Sequence, residues 1–285
     1  MIVPRGAPPH VDLHSHSTAS DGAVSPAVAV QRAHSAGVSA LALTDHDTIA
    51  GVAEAEVAAA ELGMRLVVGA ELSAHDGERE IHLLALHIRL RDVIESALAR
   101  FRAQRSERAR EIVGLLQKQG LDVTFESVLA EAAGGAVGRP HVARAMIAAG
   151  AVRDHREAFD RYLAAGKPAF VDKAYFAIGD AIELVHQAGG LAVFAHPGAD
   201  GTLERVERLR ELGLDGLEVL HPGHSSEDTR RVGALVEHFG MVRSGGSDWH
   251  GAAEGARTLG AMKVPLAWLE EQDALLASRD VISTN

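Results

Sequence analysis

Short apolar runs alternate with amphipathic stretches along most of the chain. The apolar runs lie at 40–44, 65–70, 81–86, 191–195 and 216–220. The stretches between them have the spacing of amphipathic helices, with start signals such as Ser25-Pro26 and a glycine stop at Gly63. Repeated units of this kind predict an α/β fold built on a parallel sheet or barrel.

A different pattern interrupts this alternation in the middle of the chain. A helical pattern rich in Arg and Glu runs from Asp92 to Gln119, shorter helical patterns follow it, and no clear strand pattern precedes Ala169. We therefore predict a barrel formed by 1–95 and 166–285, with a helical insertion at 96–165 that acts as a substrate lid.

Composition limits the classes of function. The chain has 285 residues, no cysteine and a net charge of -11. The lack of cysteine excludes disulfides, thiolate catalysis and cysteine-based zinc sites, and it fits a reducing compartment. The negative charge argues against binding of duplex DNA, and no apolar run approaches the ~18 residues of a membrane span. We expect a cytoplasmic protein without a membrane partner.

Residues of metal-ligand type stand at the ends of the predicted strands. His14 and His16 would point to the same face of a strand, because alternate side chains share a face. Others at strand ends are His46, Glu71, His196, His221, Asp248 and His250. In parallel barrels such ends converge on one mouth, whereas solvated loop histidines would not favour this position. The pattern predicts a site for several metal ions, and mixed nitrogen and oxygen ligands suit Mn, Zn or Fe.

The same motifs resemble those of a known family, the polymerase and histidinol phosphatase (PHP) domain phosphoesterases. The resemblance is carried in the family's order by Asp12-Leu13-His14-Ser15-His16, Ser20-Asp21-Gly22, Thr44-Asp45-His46-Asp47, Gly69-Ala70-Glu71, His82, Ala195-His196-Pro197-Gly198 and Gly246-Ser247-Asp248-Trp249-His250. It implies a distorted parallel (β/α)7 TIM-like barrel. Within the family, the chain is most similar to a bacterial group of 3′,5′-nucleoside bisphosphate phosphatases and 5′-3′ exoribonucleases, which also carries a helical insertion.

The resemblance also implies a set of metal ligands. One ion would bind His14, His16, Glu71 and Asp248, a second Glu71, His82 and His196, and a third Asp21, His46 and His250. His221 is the alternative to His196, since it has a similar strand-end context. We expect two or three divalent ions, with manganese favoured over zinc or iron. Asp45 is expected to orient an imidazole.

Further residues are candidates for contact with substrate. In the bisphosphatase group, residues equivalent to Arg139, His141 and Lys167 bind substrate phosphate, which agrees with the bidentate fork of Arg and the point charge of Lys. We expect Glu71 and Asp248 to position the metals. His224 would contact the substrate or protonate the leaving oxygen.

The predicted function is hydrolysis of the 3′-phosphate of nucleoside 3′,5′-bisphosphates by a metal-bridging hydroxide, a chemistry that adjacent metal ions support. The substrate would be a nucleotide or a short oligonucleotide. The alternatives are 5′-3′ trimming of short 5′-phosphorylated RNA and hydrolysis of another metabolite such as histidinol phosphate. A non-catalytic metal-binding module and a metal-dependent amide hydrolase are less favoured. The oligomeric state is not predicted.

Overall fold

Strands form where the sequence carries short apolar runs. The computed structural model describes residues 8–77, 79–132, 137–172 and 176–283. The strands are β1 (His10–Val11), β2 (Ala40–Leu43), β3 (Arg65–Val68), β4 (Ala70–Asp76), β5 (Arg79–Leu86), β6 (Leu191–Phe194), β7 (Gly216–Leu220), β8 (Val242–Gly245) and β9 (Val264–Pro265). The helices are α1 (Pro26–Ser35), α2 (Val52–Leu62), α3 (Arg91–Lys118), α4 (Phe125–Ala132), α5 (Arg139–Ala148), α6 (His155–Ala158), α7 (Ile178–Gln187), α8 (Leu203–Glu211), α9 (Ser226–Phe239) and α10 (Leu266–Ser283).

The chain divides into two units. The first comprises the described residues of Met1–Glu95 and Phe176–Asn285, and the second those of Ser96–Tyr175. Every strand among the described residues lies in the first unit, and the described part of the second contains only helices, including a short π-helix at Phe159–Leu163. No helix in the described part of the chain is both long enough and apolar enough to cross a membrane.

The first unit is a mixed α/β fold, but the closed parallel barrel predicted from the sequence is not seen in its strand ladders. Among the described residues, β1 pairs with β9, β2 pairs with β3, and a five-stranded sheet has the order β4-β5-β6-β7-β8. The β4–β5 and β5–β6 pairs are antiparallel, which corrects the prediction of an all-parallel arrangement. The reason is local: Asp76 pairs with Arg79 across a hairpin, and Gly77 has the positive φ of 62° that such tight turns require.

The helix start and stop signals predicted from the sequence are present in the first unit. The Ser25 hydroxyl accepts a hydrogen bond from the Val28 amide, with Pro26 at the first position of α1. Gly63 ends α2 in the left-handed conformation. The side chains of Leu13, Leu84 and Val193 are fully buried in a shared core. These contacts hold the strand ends, where the ligand-type residues lie, in defined positions.

The second unit has a hydrophobic core of its own. Ile112 and Leu116 of α3 pack with Val128 of α4 and with Val142 and Met146 of α5. Each side chain faces inward at helical spacing, which explains the amphipathic pattern in the sequence. Its role as a lid remains a prediction.

Candidate metal centre

The residues predicted as metal ligands all lie in the first unit, most of them close to strand ends. His14 and His16 follow β1, Asp21 precedes α1, His46 follows β2, Glu71 lies in β4, His82 lies in β5, His196 follows β6, and Asp248 and His250 follow β8. Isolated parallel bridges join Ser15 to Trp249 and His46 to Glu71, so separate strand ends are brought side by side.

All of these side chains except that of His196 form three overlapping groups, in each of which the candidate ligand atoms lie within 4.8 Å of one another. The groups are His14, His16, Glu71 and Asp248; His46, Glu71 and His82; and His16, Asp21, His46 and His250. Beside Glu71 and His82 the second of these groups has His46, where the sequence predicts His196. His16, His46 and Glu71 are each shared by two groups, which is the arrangement expected for neighbouring ions with common ligands. The assignment of particular ions to these groups remains a prediction.

Glu71 is the centre of the cluster and is almost completely buried, with 1% of its surface exposed. Its Oε2 lies 3.2 Å from Nε2 of both His14 and His16 and 3.3 Å from Nδ1 of His46. Its Oε1 lies 2.8 Å from His82 Nδ1 and 2.9 Å from His196 Nε2. Burial raises the pKa of Glu71, but the nearby histidines outweigh this effect and hold the pKa well below its usual range.

Buried histidine nitrogens in the cluster fit metal coordination. Neither ring nitrogen of His16 makes a hydrogen bond, and neither does His82 Nδ1, although carboxylate oxygens lie close by. Burial lowers the pKa of His16, but the carboxylates of Asp248 and Glu71 raise it to about 9. The cluster thus attracts positive charge. Imidazole nitrogens that make no hydrogen bond and lie beside carboxylates are suited to a divalent ion of the Mn, Zn or Fe type.

Hydrogen bonds donated by Nδ1 orient two of these histidines. His14 Nδ1 lies 3.0 Å from Glu218 Oε1, and His250 Nδ1 lies 2.9 Å from the Asp248 carbonyl oxygen. Both acceptors require the proton on Nδ1, so Nε2 of each ring is the nitrogen left for a metal ion. The sequence reasoning missed Glu218; its signal was a glutamate within the otherwise apolar strand β7.

Two buried aspartates hold the loops that carry the ligands. Asp12 accepts hydrogen bonds from the amides of Ser247 and Gly260, at 2.9 and 2.8 Å. Asp45 was expected to orient an imidazole, but it accepts hydrogen bonds from the Ser17 amide and from the Ser17 and Ser20 hydroxyls, each at 2.7 Å. Its carboxylate therefore shapes the loop that precedes Asp21.

Asp248 presents its two oxygens to different neighbours. Its Oδ1 lies 3.4 Å from His14 Nε2 and 3.2 Å from His16 Nε2, whereas its Oδ2 faces His221 and Arg257. Burial raises the pKa of Asp248, but contacts with His16 and His221 lower it more, so the carboxyl is ionised. Asp248 has a positive φ of 49° and His196 one of 32°, backbone strain of the kind that clusters at functional sites.

The hydrogen bonds of His224 do not support a role as the general acid that protonates the leaving oxygen. Its Nδ1 donates to the Val219 carbonyl at 3.0 Å, and its Nε2 accepts from the Gly198 amide at 3.1 Å. Both nitrogens are therefore used by the backbone, and the ring holds the turn at Gly198. The predicted contact of His224 with substrate stays a prediction.

The predicted phosphate-binding residues Arg139, His141 and Lys167 lie in the second unit. Arg139 Nη1 donates to the Leu163 carbonyl at 3.3 Å, and its guanidinium lies 5.7 Å from the Phe159 ring centroid. His141 Nδ1 accepts a hydrogen bond from the Gly138 amide at 2.9 Å and so caps α5. Burial, with the charges of nearby arginines, lowers the pKa of His141. Lys167 is exposed.

Comparison with known proteins identifies the family. A family profile described as PHP domain matches residues 12–176. The chain is 40% identical over 245 residues to a 5′-3′ exoribonuclease from Haemophilus influenzae, covering 84% of this chain and 89% of the relative. It is 37% identical over 261 residues to a 3′,5′-nucleoside bisphosphate phosphatase from Chromobacterium violaceum, covering 88% and 90%.

A solved structure gives the same result. The crystal structure of a protein described as a metal-dependent phosphoesterase, from Bifidobacterium adolescentis, superposes with a TM-score of 0.74 at 32% identity and covers 93% of this chain and 96% of its own. These similarities extend over most of the chain. The chain therefore belongs to the PHP domain family of metal-dependent phosphoesterases.

Proposed function

We propose that this protein removes the 3′-phosphate of nucleoside 3′,5′-bisphosphates, yielding a 5′-mononucleotide and phosphate. The observation that carries the proposal is the buried Glu71, which is shared by two of the three overlapping groups of nitrogen and oxygen ligands. The named activity of the relative from Chromobacterium violaceum supports the choice of substrate. Hydrolysis by this route needs no serine or cysteine nucleophile.

The proposed ligands keep the assignment expected from the sequence. One ion would bind His14, His16, Glu71 and Asp248, a second Glu71, His82 and His196, and a third Asp21, His46 and His250. Manganese remains the favoured metal and the cytoplasm the favoured location. When bound, divalent ions supply Lewis acidity that activates water near neutral pH and offsets charge on the phosphoryl oxygens.

The protein's own groups would prepare the site for this chemistry. Glu71 offers one oxygen to each side of the cluster, and Glu218 fixes the His14 ring so that Nε2 faces Glu71. A cavity of about 240 Å³ adjoins His196 and Asp248 and is large enough for a phosphate group. Buried carboxylates and imidazoles held in place in this way need little rearrangement during the reaction.

We propose that Arg139, His141 and Lys167 bind the phosphate that does not react. Arg139 has a planar guanidinium that can bind phosphate through two hydrogen bonds, and Lys167 adds an exposed positive charge. The energy of this contact would orient the reacting phosphate. The competing explanation is that Arg139 only anchors the helical unit through its contacts with Leu163 and Phe159.

The first experiment is phosphate release by the Mn²⁺-loaded protein. The substrates are adenosine 3′,5′-bisphosphate, 5′-AMP, 3′-AMP, histidinol phosphate and a short 5′-phosphorylated RNA. Strong preference for the bisphosphate with 5′-AMP as product supports the proposal. Preferential release of mononucleotides from RNA would instead assign 5′-3′ exoribonuclease activity, the candidate favoured by the relative from Haemophilus influenzae.

A variant separates phosphate binding from a structural role. Arg139→Ala should raise KM for the bisphosphate at least tenfold more than KM for a simple aryl phosphate. The reason is that only the bisphosphate has a second phosphate that can contact Arg139. Arg156→Ala is the matched control, since Arg156 is exposed in the same unit. Equal losses on both substrates would show that Arg139 acts only on structure.

A further inference from the structure

His221 has a hydrogen-bonding pattern opposite to that of His14. The Gly223 amide donates to His221 Nδ1 at 3.0 Å, so Nδ1 is an acceptor and carries no proton. The single proton of the neutral ring must then sit on Nε2, which lies 3.3 Å from Asp248 Oδ2. A metal ion needs a bare nitrogen, and in His221 neither nitrogen is available to one.

Arg257 contacts the same oxygen from a second direction. Its Nη1 donates to Asp248 Oδ2, and its side chain is about half exposed, at 49%. His221 is buried, with 5% of its surface exposed. The Oδ2 atom therefore has a buried donor and a partly solvated donor, whereas Oδ1 faces the candidate ligands His14 and His16.

We propose that His221 and Arg257 are positioning residues that hold Asp248 Oδ2, so that Oδ1 alone is presented to a metal ion, and that His221 is not itself a ligand. This inference rests on the metal centre of the proposed function but not on its substrate. It decides between His196 and His221 as the metal ligand, which the strand-end pattern leaves open. His196 Nε2 faces Glu71 Oε1 at 2.9 Å, while His221 Nε2 donates a hydrogen bond to Asp248.

The test measures metal content and affinity rather than turnover. Bound Zn²⁺ per chain and its dissociation constants would be determined by metal analysis and chelator competition for the wild type, His221→Ala, His221→Gln and His196→Gln. A side chain that only orients a ligand typically changes metal affinity 10- to 100-fold. We expect His221→Ala to keep the full number of ions at saturation but to weaken binding by about that factor.

Three further variants make the result specific. His221→Gln keeps an N–H donor near Asp248 Oδ2 and should restore the affinity to within a few-fold of the wild type. His196→Gln, which removes a proposed ligand, should lose one ion per chain. Arg257→Ala should weaken metal binding less than His221→Ala does, because the Arg257 guanidinium is half solvated. Arg230→Ala, on the surface of α9, is the control for Arg257→Ala.

A spectroscopic measurement on the unaltered protein guards against misfolded variants. Long-range ¹H–¹⁵N spectra of the Zn²⁺-loaded protein should show the proton of His221 on Nε2 and that of His14 on Nδ1. A metal-bound nitrogen in His221, loss of an ion in both His221 variants, or unchanged affinity in His221→Ala would each overturn the inference. Those outcomes would leave the proposed function intact, whereas a wild type that binds no divalent ion would overturn both.

Discussion

Substitution of Glu218 tests how the cluster is held together, because its carboxylate accepts hydrogen bonds from two donors. Its Oε1 lies 3.0 Å from His14 Nδ1, and its Oε2 accepts from the His196 amide at 2.6 Å. Burial raises the pKa of Glu218, but contact with His14 lowers it overall, so the group is an anion with two acceptor oxygens. Glu218→Gln preserves the size of the side chain but has only one acceptor oxygen.

The cost of this change can be worked out from these contacts. Either the His14 ring or the His196 amide must lose its acceptor, and a buried donor without a partner costs about 1–3 kcal/mol of folding stability. A disturbed His14 should also weaken metal binding by about 10- to 100-fold, equivalent to about 1.4–2.7 kcal/mol. Both effects should appear although Glu218 is not itself a proposed metal ligand.

The assay combines urea unfolding of the chelator-treated protein with metal titration of the folded protein. Glu211→Gln, at an exposed position on α8, is the matched control and should behave as the wild type does. If Glu218→Gln binds metal with wild-type affinity and unfolds at the same urea concentration, Glu218 does not orient His14 and this reasoning is wrong.

Two further predictions concern buried aspartates. Asp45→Ala should free the loop that precedes Asp21 and lower the affinity for one ion by at least tenfold, while the more tightly bound ions stay in place. Metal titration would detect this change, and a uniform loss of all ions would contradict it. Asp215 is buried, and although burial raises its pKa, hydrogen bonds from His186 and Arg279 hold the pKa below its usual range. Its stabilising effect is therefore present above an unfolded pKa of about 3.9 and lost as the pH falls through the lower folded pKa. Asp215→Asn should destabilise the protein by about 1–3 kcal/mol at pH 7, and urea unfolding should show this difference shrinking in acid; a constant difference would refute the role of charge.

Local chemistry explains why much of the fold was predictable. A buried strand needs only a short apolar run, and a helix start such as Ser25-Pro26 depends on neighbouring residues, so both can be recognised without knowing the fold. The dipeptide Asp76-Gly77 is a local turn signal as well, but which strands a turn pairs depends on the fold. The hairpin at this turn makes β4 and β5 antiparallel, contrary to the predicted parallel arrangement.

The sequence by itself determined which residue types stand at the strand ends, and this was enough to predict a metal centre around His14, His16 and Glu71. Only the tertiary structure decided which atoms of these residues are used. His14 meets Glu218 across 204 positions of sequence, and His221 meets Asp248 across 27. The protonated nitrogen of a histidine is set by whichever donor or acceptor the fold places beside it, and a linear pattern does not contain that information. For this reason His196 and His221 are equivalent in the sequence but distinct in the structure.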